Sequence, residues 1–154
     1  MFYYDVNAAQ TSNASANTEN QSARALTVAN QRTAAIMGLY VAARMAAAGG
    51  LVMRLKTAAT PGTVGGATTP GKRDADAPAA ATTWFTAHTV GTTLTTRQII
   101  GCSAQGGFGG WFAAAIEQAL ILKPNGGANG NAEITNISGL SSTLFDLAVE
   151  FAEL

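Results

Sequence analysis

Phe145, Leu147, Val149 and Phe151 alternate with Asp146, Ala148, Glu150 and Ala152 near the end of the chain. One face of this segment is bulky and apolar, the other acidic or small. A period of two over eight residues is the pattern of a half-buried β-strand, with a register set by the core it faces.

Other segments read the same way. Met37, Leu39, Val41 and Ala43 alternate with Gly38, Tyr40, Ala42 and Arg44, and Leu51, Met53 and Leu55 alternate with Val52, Arg54 and Lys56. Ala47-Ala48-Gly49-Gly50 lies between them, so the two runs (Ala35–Arg44 and Leu51–Thr57) read as a hairpin. The Ala-rich, proline-free stretch 23–48 also has the composition of one long helix, but the alternation favours strands, with a short helix or strand over Ala23–Asn30. Thr82–Ala87 and Thr92–Cys102 are rich in Thr and β-branched residues, which suit a pleated, half-buried surface. Ile116–Lys123 reads as a strand stopped by Pro124, and Glu133–Ser138 as another after the turn dipeptides Asn125-Gly126 and Asn129-Gly130. Gly106-Gly107-Phe108-Gly109-Gly110 reads as a tight bend or a subunit contact, where glycines let backbone approach backbone.

Seven or eight short strands separated by Gly, Pro and Asn turns predict an all-β fold, a β-sandwich or a jelly roll. No βα alternation is present to build a doubly wound sheet. Residues 7–22 are polar, without period, and short of bulky apolar groups, so residues 1–22 read as a flexible, extended N-terminal arm before a single β-rich domain, 23–154. Phe2, Tyr3 and Tyr4 at its tip either anchor a neighbouring subunit or pack back on their own domain. Residues 58–81 carry Pro61-Gly62, Gly65-Gly66, Pro70-Gly71 and Pro78, and read as a long loop used for contacts with neighbours.

Charge narrows the function. Nine Lys and Arg balance nine Asp and Glu, and charged residues make up 12% of the chain, about half the usual ~25% of soluble domains. The basic residues are scattered, with only Lys72-Arg73 adjacent. No basic face is therefore expected for binding nucleic acid. The apolar stretch 34–55 is interrupted by Arg44 and Gly49-Gly50 and closed by Arg54 and Lys56. A central Arg costs about 2.5–3.5 kcal/mol on insertion scales, so no membrane span is expected. Met1–Asp5 lacks the features of a signal peptide. A near-neutral Ala/Thr/Gly-rich surface is poorly protected against association, which suits a protein that assembles.

No catalytic, cofactor or metal set is expected. His88 is the one histidine and Cys102 the one cysteine, the latter read as a small buried hydrophobe. Asp74 and Asp76 fall far short of a calcium shell, and the glycines around Phe108 lack the Lys-Ser/Thr of a phosphate loop. Glu117, Glu133 and Glu150 belong to separate segments. Trp84, Trp111 and Phe112 are candidates either for stacking on sugars or for filling the core.

The order of segments GLYVAAR, AGGLVMRLK, TPGKRDADAPAAATTWFT, TTLTTRQIIG, QGGFGGW, LKPNGGANGN and TLFDLAVEFAE resembles small tailed-phage virion proteins of the capsid decoration, or cement, type, over residues 20–154. The resemblance implies a β-sandwich or jelly-roll protein that assembles as a homo-oligomer (a trimer) on the capsid exterior and braces neighbouring subunits of the major capsid protein. It would be made in the host cytoplasm. The residues expected to bind partners are Phe2, Tyr3, Tyr4, Asp5, Lys72, Arg73 and Asp74. A tail or fibre subunit and a carbohydrate-binding host-recognition module are the alternatives.

Overall fold

A computed structural model describes residues 1–13, 19–24, 32–45, 48–60, 66–86, 92–123, 130–138 and 143–154. The strands are β1 (Phe2–Asn13), β2 (Glu19–Arg24), β3 (Ala34–Ala43), β4 (Gly50–Thr60), β5 (Ala67–Thr68) and β6 (Gly71–Lys72). They continue with β7 (Thr83–Thr86), β8 (Thr92–Ser103), β9 (Phe108–Phe112), β10 (Leu120–Leu122), β11 (Asn131–Asn136) and β12 (Thr143–Glu153), and one 3-10 turn covers Ile116–Gln118.

The strands form two antiparallel sheets. The first runs β10-β3-β12-β1-β6, with β9 beside β10 on the same edge of β3; the second runs β5-β7-β2-β11-β4-β8. Reduced to its long strands, the chain alternates between β1-β12-β3-β9 and β2-β11-β4-β8, which is the winding of a jelly roll. The all-β expectation and the jelly-roll architecture therefore hold. Bulky residues from both inner faces meet between the sheets: Ile36, Leu39, Val41, Phe145, Leu147 and Val149 from the first, Leu51, Met53, Leu55 and Ile134 from the second. At one end of the core Phe151 lies 5.3 Å from both the Tyr4 and the Trp84 ring centroids.

The hairpin expectation is corrected. Both strands exist, but β3 pairs with β12, β9 and β10, whereas β4 pairs with β11 and β8 in the other sheet. Each carries its own inward apolar face, and the connection crosses the sandwich so that the two faces meet. The period along β3 is also broken. Glu150 opposes Gly38 while Phe151 opposes Ile36, so Met37 is an extra residue in the ladder. The bulge turns both Ile36 and Leu39 inward.

The glycine-rich segment is corrected too, since Phe108–Phe112 is a full strand on β3. Only its start is a bend: Gly106 has φ +79 and the Gly107 N–H donates to the Ser103 carbonyl at 2.9 Å. The strand expected over 116–123 is confined to Leu120–Leu122. The N-terminal arm is extended, and over Phe2–Asn13 its extension is a ladder with β12. Its polar residues are ordered by backbone pairing to a strand that the core holds in place, a source of order that side-chain hydrophobicity does not report. The boundary drawn at 22/23 falls inside β2.

The long loop expected over 58–81 begins as the end of β4, and its residues 66–81, with Thr82, wrap the edge of the sandwich formed by β1 and β2. β6 pairs with β1, β5 pairs with β7, and β7 pairs with β2. The Tyr4 hydroxyl donates to the Pro78 carbonyl at 3.0 Å, and the Thr82 N–H donates to the buried Glu153 carboxylate at 2.6 Å. An exposed strand edge is a template for aggregation, and this excursion covers one. Residues 14–18, 25–31, 61–65, 87–91 (with His88) and 124–129 (with Asn125-Gly126) lie outside the described residues, as do 46–47 and 139–142.

The outer faces of the two sheets differ. On β11, Ala132 and Ile134 point into the core, so Glu133 and Thr135 lie on the outer side by alternation, yet both are buried. Glu133 faces Lys56 across the strands, with Nζ to Oε2 at 2.7 Å and both side chains essentially inaccessible. The chain itself therefore covers the middle of the second sheet. Among the described residues, the large exposed apolar side chains on the sheets are Tyr3, Phe108 and Phe112 on the first and Ile99 on β8, the edge strand of the second.

Candidate functional site

The outer face of the first sheet is built by β3, β9, β12 and β1. Beyond the Met37 bulge, β3 turns Tyr40 and Ala42 outward. Phe108, Gly110 and Phe112 of β9 stand opposite Ala42, Tyr40 and Gly38. A Cβ at Gly110 would lie 2.9 Å from Cδ1 of Tyr40, and one at Gly38 would lie 3.0 Å from its Cε2. The Tyr40 ring thus rests over two glycines, one on its own strand and one on the next. Phe108 stacks on it at 6.3 Å between centroids and 17° between planes. Phe108 and Phe112 are 68% and 66% exposed, so this aromatic strip faces solvent rather than the core.

Charges beside the strip are paired. Arg44 Nε donates to Asp146 Oδ2 at 2.5 Å, and the Arg73 guanidinium pairs with the Glu150 carboxylate. Burial pushes the Tyr40 phenol above its ordinary pKa, and the Glu150 carboxylate, which accepts its hydroxyl, raises it further against a smaller opposing effect of Arg73. The hydroxyl therefore stays protonated and donating at neutral pH. Two shallow clefts flank Tyr40. One, of about 190 Å³, has Phe108, Ala42 and Ala148 in its walls; the other, of about 170 Å³, has Tyr3, Met37, Arg73 and Phe112.

Two separate groups of the residues expected to bind partners are brought together here. Tyr4 opposes Lys72 and Asp5 opposes Gly71 between β1 and β6, and the Arg73 N–H donates to the Tyr3 carbonyl at 3.1 Å. Tyr3 and Arg73 line the same cleft as Phe112. Lys72, Arg73 and Asp74 are exposed and Asp5 is half-buried. Tyr4 is corrected: its side chain is fully buried and stacks on Phe151, because it shares the inward parity of Val6. Phe2 packs against the core, with the Arg32 guanidinium 5.3 Å over its ring. The aromatic tip thus packs largely on its own domain, leaving Tyr3 outside.

Tyr40, Phe108, Met37 and Glu150 were missed as contact residues. The available signals were an aromatic at Tyr40 on the outward parity of an alternating strand and a Phe isolated among glycines. Trp84 is buried in the core and Trp111 is half-buried against it, so of the three proposed sugar-stacking rings only Phe112 stands well clear of the surface.

Among the remaining reactive groups, Cys102 is partly buried against the core, and burial pushes its thiol above the ordinary range despite a backbone hydrogen bond with Ala43 that acts the other way. A raised thiol is a poor nucleophile at neutral pH. Asp74 closes its own turn, accepting from the Asp76 N–H at 3.0 Å through Oδ1 and from the Ala77 N–H at 3.1 Å through its carbonyl. Among the described residues no group of three or more His, Cys, Asp or Glu side chains is arranged to hold a metal ion. No family model and no curated protein sequence matches the chain.

Proposed function

We propose that this chain is a non-enzymatic structural protein of a tailed-phage virion, of the capsid decoration (cement) type, that docks on the major capsid protein through the outer face of its first sheet. The observation that carries the reading is the exposed strip Phe108–Tyr40–Phe112, extended by Tyr3 and bordered by carboxylates already matched with arginines. A contiguous aromatic patch with a paired polar rim is the anatomy of a protein-binding surface. Fully burying each Phe contributes about 1.5–3 kcal/mol. The paired charges limit desolvation cost and add no long-range field that would select nucleic acid. Docking adds interface area that braces neighbouring capsomers on the virion exterior, and the protein acts there as a homo-oligomer, a trimer, without membrane or nucleic-acid contact.

The test is co-sedimentation with purified capsids stripped of the protein, comparing the wild type with Phe108→Ser/Phe112→Ser. Both rings are exposed, so the variant should melt within about 3 °C of the wild type. Its capsid affinity should fall at least tenfold, to ~10% or less. Undiminished binding by the folded variant would remove this face from the reading. Deleting residues 1–20 is a poor substitute, because it takes β1 out of the first sheet. A tail or fibre subunit would use the same face, and negative-stain images of the purified protein distinguish rings or fibres from discrete oligomers.

A further inference from the structure

Two irregularities in the sheets meet at one end of the sandwich. Along β3, the ladder formed by β9 breaks after Phe112 and resumes at Leu120, with Ile116–Gln118 wound into the 3-10 turn between. On β8, Gln98 opposes Leu55 and Thr96 opposes Lys56, so Arg97 is an extra residue. Bulges re-aim side chains and are over-represented beside active sites. Here the lifted turn and the bulge enclose a cleft of about 380 Å³, which lies within the range of small-ligand sites.

Its walls hold Trp111, Arg97, Gln98, Glu117 and Gln118. Trp111 packs against the core, which fixes the ring as a rigid wall. Arg97 and Glu117 are exposed, and neither forms an ion pair among the described residues. The Gln118 Oε1 accepts the Ala114 N–H at 3.2 Å, which braces the turn and leaves the amide NH2 as a donor. One aromatic wall, one cation, one carboxylate and two amides suit a neutral ligand that offers an apolar face and many hydroxyls.

We propose that this cleft is a saccharide-binding site. A pyranose presents its C–H face to Trp111, Glu117 accepts from its hydroxyls, and Arg97, Gln98 and Gln118 donate to its oxygens. The site lies at the interrupted edge of the sandwich and does not rest on the capsid-docking reading. It also relocates sugar recognition to a residue set that includes Trp111 and excludes the core residue Trp84.

Intrinsic fluorescence tests it, because the chain has two tryptophans and the other, Trp84, is sealed in the core. The probes are glucose, galactose, mannose, rhamnose, N-acetylglucosamine and N-acetylgalactosamine, titrated up to about 50 mM to reach the weak end of measurable affinity. Glycine and proline serve as zwitterion controls. The expected result is a saturable change with at least one sugar, weakened about tenfold or more in both Arg97→Gln and Glu117→Gln. Both substitutions are at exposed positions and keep the reporter in place. The proposal is overturned by no saturable response to any sugar, by a response to the amino acids alone, or by unchanged affinity in the two variants.

Discussion

The buried pair on the outer side of the second sheet makes a quantitative claim about which face is closed. Lys56 Nζ lies 2.7 Å from Glu133 Oε2, with side-chain exposures of 0% and 1%. Removing one partner strips a buried charge of this ion pair, which costs about 3–5 kcal/mol. Replacing both by apolar groups of similar volume removes the pair's desolvation penalty together with its attraction and is often neutral or stabilising. Unfolding 154 residues carries an entropy of about 0.3 kcal/mol/K near the midpoint. Glu133→Met or Lys56→Met alone should therefore lower Tm by about 9–15 °C, and the double variant should recover most of that loss. Thermal melts followed by circular dichroism, with urea titration to confirm the free energies, measure all four corners of the cycle. If both single variants melt within about 3 °C of the wild type, water reaches the pair and the second sheet is not sealed at its centre. The centre of the second sheet would then be as open to a partner as the first.

Two further outcomes follow from packing and from burial of tyrosine. A Cβ at Gly109 would lie 2.8 Å from Ile100 Cγ2 and 3.0 Å from the Gly101 carbonyl oxygen, whereas one at Gly50 meets nothing within 4 Å. Gly109→Ala should cost about 1–3 kcal/mol in urea unfolding, and Gly50→Ala should stay within about 1 kcal/mol of the wild type. Tyr4→Phe loses the hydrogen bond to Pro78, costing about 0.5–1.5 kcal/mol, and should speed tryptic cleavage at Lys72 or Arg73 by loosening the covering excursion. The same variant has a pH signature. Burial, and then the Glu153 carboxylate, raise the Tyr4 phenol above its ordinary 10.0, with Arg32 opposing. The unfolded chain therefore releases this proton first, so stability is unaffected below the ordinary value and falls as pH rises through and above it. Tyr4→Phe should flatten that alkaline loss in melts taken across the transition, and an unchanged slope would remove Tyr4 as its source.

The candidate face was only partly legible before the structure. Tyr3 and Arg73 belong to two distant segments, and they meet because β6 lays Lys72 beside Tyr4. Tyr40, Phe108 and Phe112 form one strip because β3 and β9 pair in a register that sets Gly110 beside Tyr40. Nothing in either segment states that register. The sugar cleft was less legible still, since it arises where a break in one ladder meets a bulge in another.

Alternation at Phe145–Ala152, Leu39–Ala43 and Leu51–Leu55 was enough to establish strands with one buried face, because a period of two is a local consequence of the pleat. The same alternation could not say which strand lies beside which. Backbone hydrogen bonds are the same whatever the partner, so pairing is decided by how all the apolar faces close over one another. That closure separated β3 from β4, drew the polar stretch after Asn7 into a ladder, and made a strand of glycines around Phe108. Sequence therefore determined the strands with one bulky face, and only tertiary packing decided the remaining strands, all their neighbours and the surface they leave outside.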